Sequence, residues 1–239
     1  MTGMASTPNP ATKLQHVRPV RPLDLPVTEP ESERMPESRR HLFLRTLVVA
    51  FLRQVCLPHH SFGGDQFVYW NALRPRALAP DGFVKLDAPD TGHFSTWRTW
   101  ERGVPEVVIE ILSPSDSPER KPFDQKLEGY HAMGVHEVVC FNVDAPPGTR
   151  LRVWDLIDGD MVERVVSGEC TPCVALSSAE AGQRFEWIVA PADAEPVALR
   201  LRCDGALVPT PDEHAATAAR ERDAALARVA ELERRLGDR

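Results

Sequence analysis

The stretch Val107–Val108–Ile109–Glu110–Ile111–Leu112 constrains this chain more than any other. β-Branched residues on both sides of one acid, stopped by Ser113–Pro114–Ser115, predict a short strand buried on both faces. A carboxylate inside such a strand is costly unless it is paired or binds a metal. Whatever fold the chain adopts must therefore bring a partner to Glu110.

The flanking sequence predicts what surrounds that strand. Ser38 is placed to cap a helix running through His41–Leu52, in which Leu44, Leu47, Val48, Phe51, Leu52 and Val55 recur at helical spacing. Pro58–His59–His60 reads as a loop and Phe67–Val68–Tyr69–Trp70 as a strand. Phe83, Val84 and Leu86 form another short strand with Pro80–Asp81 at its entry. Phe94–Gly103 is a connector containing a helical turn that Gly103 ends. Beyond the Ser-Pro turn, Phe123, Leu127, Tyr130 and Met133 mark a helix with Gly134 as its C-cap, and Val135–Val143 is the next buried strand. Strand, helix and strand from Val107 to Val143 imply a parallel pair. Leu151–Leu156 and Met161–Val166 flank a hairpin signal, Asp158–Gly159–Asp160, and Phe185–Val189 and Leu199–Cys203 are later strands.

Composition divides the chain into three. Residues 1–33 carry six prolines among polar residues and read as an extended or disordered arm. Residues 34–208 hold the core of one α/β domain. In residues 209–239, Thr210, Pro211 and Glu213 start a helix in which Ala218, Ala225, Val229, Leu232 and Leu236 repeat at 3/4 spacing, interrupted by Arg222. Such a coiled-coil-like helix is expected to pair with a second copy of the chain, as a homodimer, or with another partner. The net charge of -7 does not advertise a nucleic-acid binder, yet between Arg34 and Pro80 seven arginines face two acids, so a local basic surface is expected. Five cysteines without a secretory signal predict a reducing, cytoplasmic setting. Cys170-x-x-Cys173 is expected to be a pair of ordinary thiols in strand-and-turn sequence, without the helix that follows a redox motif. No apolar run reaches the roughly 20 residues of a membrane span.

If the strand after Asp81 lies beside the one containing Glu110, the two carboxylates converge. With the backbone carbonyl of Ile111 they form a hard oxygen donor set of the kind Mg²⁺ (or Mn²⁺) takes, water completing the shell. Lys126, on the helix that follows, could then orient a water or stabilise charge on a phosphate.

Several stretches in order carry a resemblance. They are Met35–Pro36–Glu37–Ser38 leading to His41, then Ala79–Pro80–Asp81–Gly82–Phe83–Val84, then Trp100–Glu101–Arg102–Gly103–Val104–Pro105–Glu106 running into the opening strand. Lys126 with Tyr130, and Gly134–Val135 with Glu137, complete the set. Over roughly residues 35–205 the chain resembles the PD-(D/E)XK nuclease superfamily, and within it the Uma-type restriction endonucleases. The resemblance implies a central mixed β-sheet flanked by helices and metal-dependent cleavage of DNA. It also implies Asp81, Glu110 and Lys126 as the catalytic set, with Asp81, Glu110 and Ile111 at the metal. The usual lysine two residues after the strand acid is replaced by Leu112, and Lys126 matches the place of a lysine supplied from the next helix. Pro122 near the start of that helix, Asp144–Ala145 after the second strand and Val138–Val139 after Glu137 depart from the family pattern.

Two rival readings remain at this level. A catalytically inactive module of the same fold would bind nucleic acid or protein through its C-terminal helix. A glycosidase using Glu106 and Glu110 fits poorly, because four residues of strand separate them by about 13 Å. Glu106 is expected to be peripheral.

Overall fold

The computed structural model describes residues 38–73, 76–89, 92–112, 122–179, 182–193 and 195–237. The proline-rich arm, Met35–Glu37, Arg74, the Ser113–Asp116 turn and Lys121 lie outside the described residues. In chain order the elements are α1 (Arg39–Cys56), β1 (Ser61–Gly63), β2 (Val68–Tyr69), β3 (Ala77–Leu78), β4 (Gly82–Lys85), β5 (Trp97–Arg98) and α2 (Thr99–Arg102). There follow β6 (Val107–Leu112), α3 (Phe123–Met133), β7 (Glu137–Asn142), β8 (Leu151–Ile157), β9 (Asp160–Glu163), β10 (Cys170–Pro172) and α4 (Val174–Ala179). The last are β11 (Phe185–Ala192), β12 (Glu195–Cys203), β13 (Ala206–Leu207) and α5 (Pro211–Gly237).

The central sheet has the order β1-β4-β6-β7-β8-β9. Its middle pair, β6 and β7, is parallel from Val107↔Glu137 to Leu112↔Asn142, as the strand–helix–strand pattern requires. Its other pairs are antiparallel. Because side chains alternate along β6, its two faces serve two cores. Val107, Ile109 and Ile111 pack with Leu44, Leu47, Val48, Phe51 and Leu52 of α1. Val108 packs with Tyr130 and Met133 of α3 and with Phe83 and Trp97. Glu110 shares the parity of Val108 and so faces α3.

Local signals explain the helix ends. The Ser38 hydroxyl accepts from the His41 backbone N–H at 3.1 Å, satisfying one of the donors that a helix start leaves over. Gly134 closes α3 in the left-handed region (φ 85°), and its N–H donates to the Tyr130 and His131 carbonyls. Gly82 is required for a different reason: a Cβ there would stand 2.7 Å from Val48 Cγ1, so only glycine lets α1 lie this close to β4.

A second sheet, β10-β11-β12-β13, covers the other side of α1. Phe185, Trp187, Leu199 and Leu201 complete the core that α1 shares with the central sheet, and the Phe51 and Trp187 rings lie 6.2 Å apart. A small sheet, β3-β2-β5, sits with α3 on the opposite face. The mixed sheet with flanking helices and a C-terminal helix is the fold class expected from the sequence.

Some boundaries differ. The strand read as Met161–Val166 runs Asp160–Glu163; the Arg164 N–H still donates to the Val153 carbonyl at 2.7 Å while its side chain reaches Asp155 and Glu137. The strand read as Phe67–Trp70 is only Val68–Tyr69, and the last long strand begins at Glu195, four residues before Leu199. His60, read as a loop residue, is buried, and its Nδ1 accepts from the Asp87 N–H at 3.1 Å. A helix does open directly after Cys170-x-x-Cys173, namely α4, correcting the strand-and-turn reading. Both thiols are free, and burial raises their pKa, most strongly for Cys173, which the neighbouring Glu137 carboxylate raises further. That is the opposite of the lowered pKa that makes a redox thiol reactive.

Candidate active site

Asp81, Glu110 and Lys126 come from three elements and meet at one end of the central sheet. The β4–β6 ladder pairs Gly82 with Ile109, so one further step sets Asp81 opposite Glu110. Asp81 precedes the strand, and its side chain takes over where the ladder stops. Its Oδ2 accepts from the Ile111 backbone N–H at 2.7 Å. In an extended strand the N–H and C=O of one residue lie along the same edge. The Ile111 carbonyl therefore lies along the edge that Asp81 occupies.

Glu110 is 1% exposed and Asp81 8%. Lys126 Nζ donates to Glu110 Oε2 at 2.8 Å, and the Tyr130 hydroxyl donates to Oε1 through a short hydrogen bond. Lys126 and Tyr130 are four residues apart on α3, so one helix face presents both donors to one carboxylate. On the other acid, His41 Nε2 donates to Asp81 Oδ1 at 2.8 Å. His41 reaches this point because the Ser38 cap starts α1 beside β4.

The electrostatics follow from burial. Desolvation pushes the Glu110 pKa up to about 7. Lys126 pulls it back, the Asp81 charge pushes it up, and the two hydrogen bonds favour the ionised form. A buried acid poised this way beside a second acid and a lysine marks a functional-site candidate.

A resident metal can be tested against these residues. Among the described residues no group of three or more His, Cys, Asp or Glu side chains is gathered. A metal here would have two carboxylate ligands and would draw the others from backbone and water. Oxygen donors alone are the set that suits Mg²⁺. Each carboxylate oxygen now holding one hydrogen bond keeps lone-pair capacity. The donor chemistry therefore fits.

The sequence singled out Asp81, Glu110, Ile111 and Lys126, and the structure brings all four together. His41 and Tyr130 complete the cluster but were not assigned a part in it. For Tyr130 a signal exists, its i,i+4 spacing from Lys126. For His41 the signal is its place after Met35–Ser38 in the family pattern, and packing of α1 on β4 carries it to Asp81. Glu106 is peripheral, as expected: it pairs with Lys85 and accepts from the Leu86 N–H at 2.7 Å.

Residues 29–177 match the family Uma2, described as "Putative restriction endonuclease". The chain belongs to the Uma2 family. The match covers well over half of the 239 residues and spans α1 through most of α4, including the whole cluster. Most of the second sheet and the tail helix lie beyond it. No match is found among curated proteins. As a Uma2 protein the chain has the restriction-endonuclease-like fold, and Asp81, Glu110 and Lys126 all lie within the matched residues.

Proposed function

We propose that this Uma2 protein is a Mg²⁺-dependent endonuclease (Mn²⁺ serving in its place) that hydrolyses DNA phosphodiester bonds. The observation that carries the reading is the buried Glu110 carboxylate held between Asp81 and Lys126 at the end of β6. Asp81, Glu110 and the Ile111 carbonyl would hold the metal. When bound, it supplies Lewis-acid stabilisation of charge developing on the phosphate and lowers the pKa of a bound water.

The protein's own groups do the rest. Lys126, 2.8 Å from Glu110, orients the attacking water and sets a positive charge beside the phosphate oxygens. A water oxygen then bonds to phosphorus as that water releases a proton to solvent, one P–O ester bond breaks, and the departing oxygen takes a proton from solvent. Tyr130 and His41 lock the rotamers of Glu110 and Asp81 so that both acids are positioned before substrate arrives. Arg39, Arg53 and Arg76 are exposed and supply phosphate contacts. Arg40 and Arg45, by contrast, are paired with Asp144 and Glu195 and with Asp65, so the basic surface is narrower than the arginine count suggested.

One observation favours the second reading, an inactive binding module: all four carboxylate oxygens of Asp81 and Glu110 already have partners within the protein. Calorimetric titration with Mg²⁺ and Mn²⁺ decides between them. Wild type should bind and cleave plasmid DNA, and Glu110→Ala should do neither. Equal metal affinity in both proteins, with no cleavage of any DNA form, would establish the inactive module.

The same reading extends to setting and partner. None of the five cysteines is in a disulfide, as a reducing, cytoplasmic environment would keep them. Among the described residues no helix is long and apolar enough to cross a membrane. The partner of the tail helix is a second copy of the chain.

A further inference from the structure

The base of α5 is built into the body. Thr210 and Glu213 form a reciprocal capping box: the Glu213 N–H donates to Thr210 Oγ1 at 3.0 Å, and the Thr210 N–H to Glu213 Oε2 at 2.8 Å. The buried Arg200 holds Glu213 at 2.8 Å, Thr210 Oγ1 donates to Asp193 at 2.8 Å, and Gln54 of α1 donates to the Pro209 carbonyl at 2.9 Å. From this anchored start the 27-residue helix runs about 40 Å. Its distal half leaves Leu226, Val229, Leu232 and Leu236 each more than half exposed. An anchored helix with an uncovered apolar stripe needs a partner to account for it.

We infer that two copies of this chain pair through α5 as a parallel, in-register, two-stranded coiled coil, a geometry that rests on the self-pairing reading given above. Arg222, Ala225, Val229, Leu232 and Leu236 are spaced 3, 4, 3 and 4 apart, an a-d-a-d-a seam. Leu226 flanks it on one side. Arg228, just before Val229, and Glu233, just after Leu232, are the g and e positions. In a parallel pair each Arg228 meets the partner's Glu233, giving two attractive contacts. An antiparallel pair that sets Val229 on the partner's Leu232 instead brings Arg228 towards the partner's Arg235. Arg222 is the one charged residue in the seam, and it pairs with Asp223 of its own helix at 2.9 Å. A single such residue at an a position selects two strands and one register. In this arrangement both bodies, each with its Asp81–Glu110–Lys126 cluster, stand at the same end of the pair.

The seam is short, so the pairing is concentration-dependent. Sedimentation of the full chain should show a monomer–dimer equilibrium that Leu232→Glu abolishes while the circular dichroism of the body is kept. Arg228→Glu should weaken the dimer about tenfold, and adding Glu233→Arg should restore it. Val229→Cys should cross-link under mild oxidation, since a faces a only in the parallel pair, while wild type should not. A dimer lost in Leu232→Glu but not cross-linked by Val229→Cys would overturn the parallel arrangement alone. A wild-type chain that sediments as a monomer at every concentration would overturn both it and the self-pairing reading. Neither outcome touches the nuclease reading, which is measured by metal binding and cleavage.

Discussion

Two glutamates on adjacent strands of the central sheet, Glu110 on β6 and Glu137 on β7, are each 1% exposed, yet the protein treats them differently. Glu137 is held by groups that cannot leave. The Trp187 indole N–H donates to it at 2.6 Å, and the Val174 and Ala175 backbone N–H groups at the start of α4 donate at 2.9 and 3.3 Å. Arg164 adds a cation at 3.4 Å. Glu110 is held by the ends of two side chains, Lys126 and Tyr130, and its pKa is displaced. Fixed donors bury a carboxylate for architecture; movable donors bury one that can exchange partners for a metal or a substrate. The contrast teaches that burial alone does not identify a site; the kind of donor does.

Removing each acid should separate the two roles. The largest effect expected is on cleavage by Glu110→Ala, a fall of roughly 10³-fold or more, because the metal and the water lose their common ligand. Plasmid cleavage with matched far-ultraviolet spectra would check it, and a variant retaining a tenth of the activity would break the comparison. Next comes stability in Glu137→Ala. Orphaning the indole and two backbone donors should cost about 3 kcal/mol. Urea denaturation would measure the loss; an unchanged midpoint would show that Glu137 is not the clamp it looks like. Lys126→Gln should come third, lowering the cleavage rate roughly 10²-fold while DNA binding holds.

The pH response sharpens the same contrast by a smaller amount. The Glu110 pKa is raised from 4.5 to about 7, so between those values the folded protein holds a proton that the unfolded chain has released. Stability that this group contributes is therefore present at the acid end and lost as pH rises through that window. Replacing Glu110 by Gln should flatten this part of the metal-free stability profile, read as denaturation midpoints in chelator. The smallest change expected is in Tyr130→Phe. Loss of one of the two donors on Glu110 should shift cleavage or metal affinity by about tenfold or less.

The comparison also shows why part of the site was legible and part was not. Glu110 stood out because an acid among Val107, Val108, Ile109 and Ile111 is an energetic anomaly in one dimension. Asp81 was readable from Pro80 and the strand after it. Lys126 was readable from its place on the helix after the acid strand, and the family resemblance strengthened the reading, because a lysine on a helix carries no anomaly of its own. Tyr130 was placed on the apolar stripe of α3, which is correct for its ring and silent about its hydroxyl. Glu137 gave no hint of its role, since Trp187 and Val174 lie 50 and 37 residues away.

By itself, the sequence determined the elements whose signals are local. These are the Ser38 cap, the Gly134 stop, the parallel β6–β7 pair around α3, and the Asp158–Gly159 hairpin, where both turn residues take positive φ. The Thr210–Glu213 capping box belongs with them. Each rests on contacts within a few residues, or on a periodicity that one face must bury. Only the tertiary structure decided which face of β6 looks at α3, that His41 meets Asp81, and that α4 follows Cys173 to cap Glu137. Those outcomes depend on how helices cross sheets and where a ladder stops, and no stretch of chain short enough to read as a pattern contains both partners.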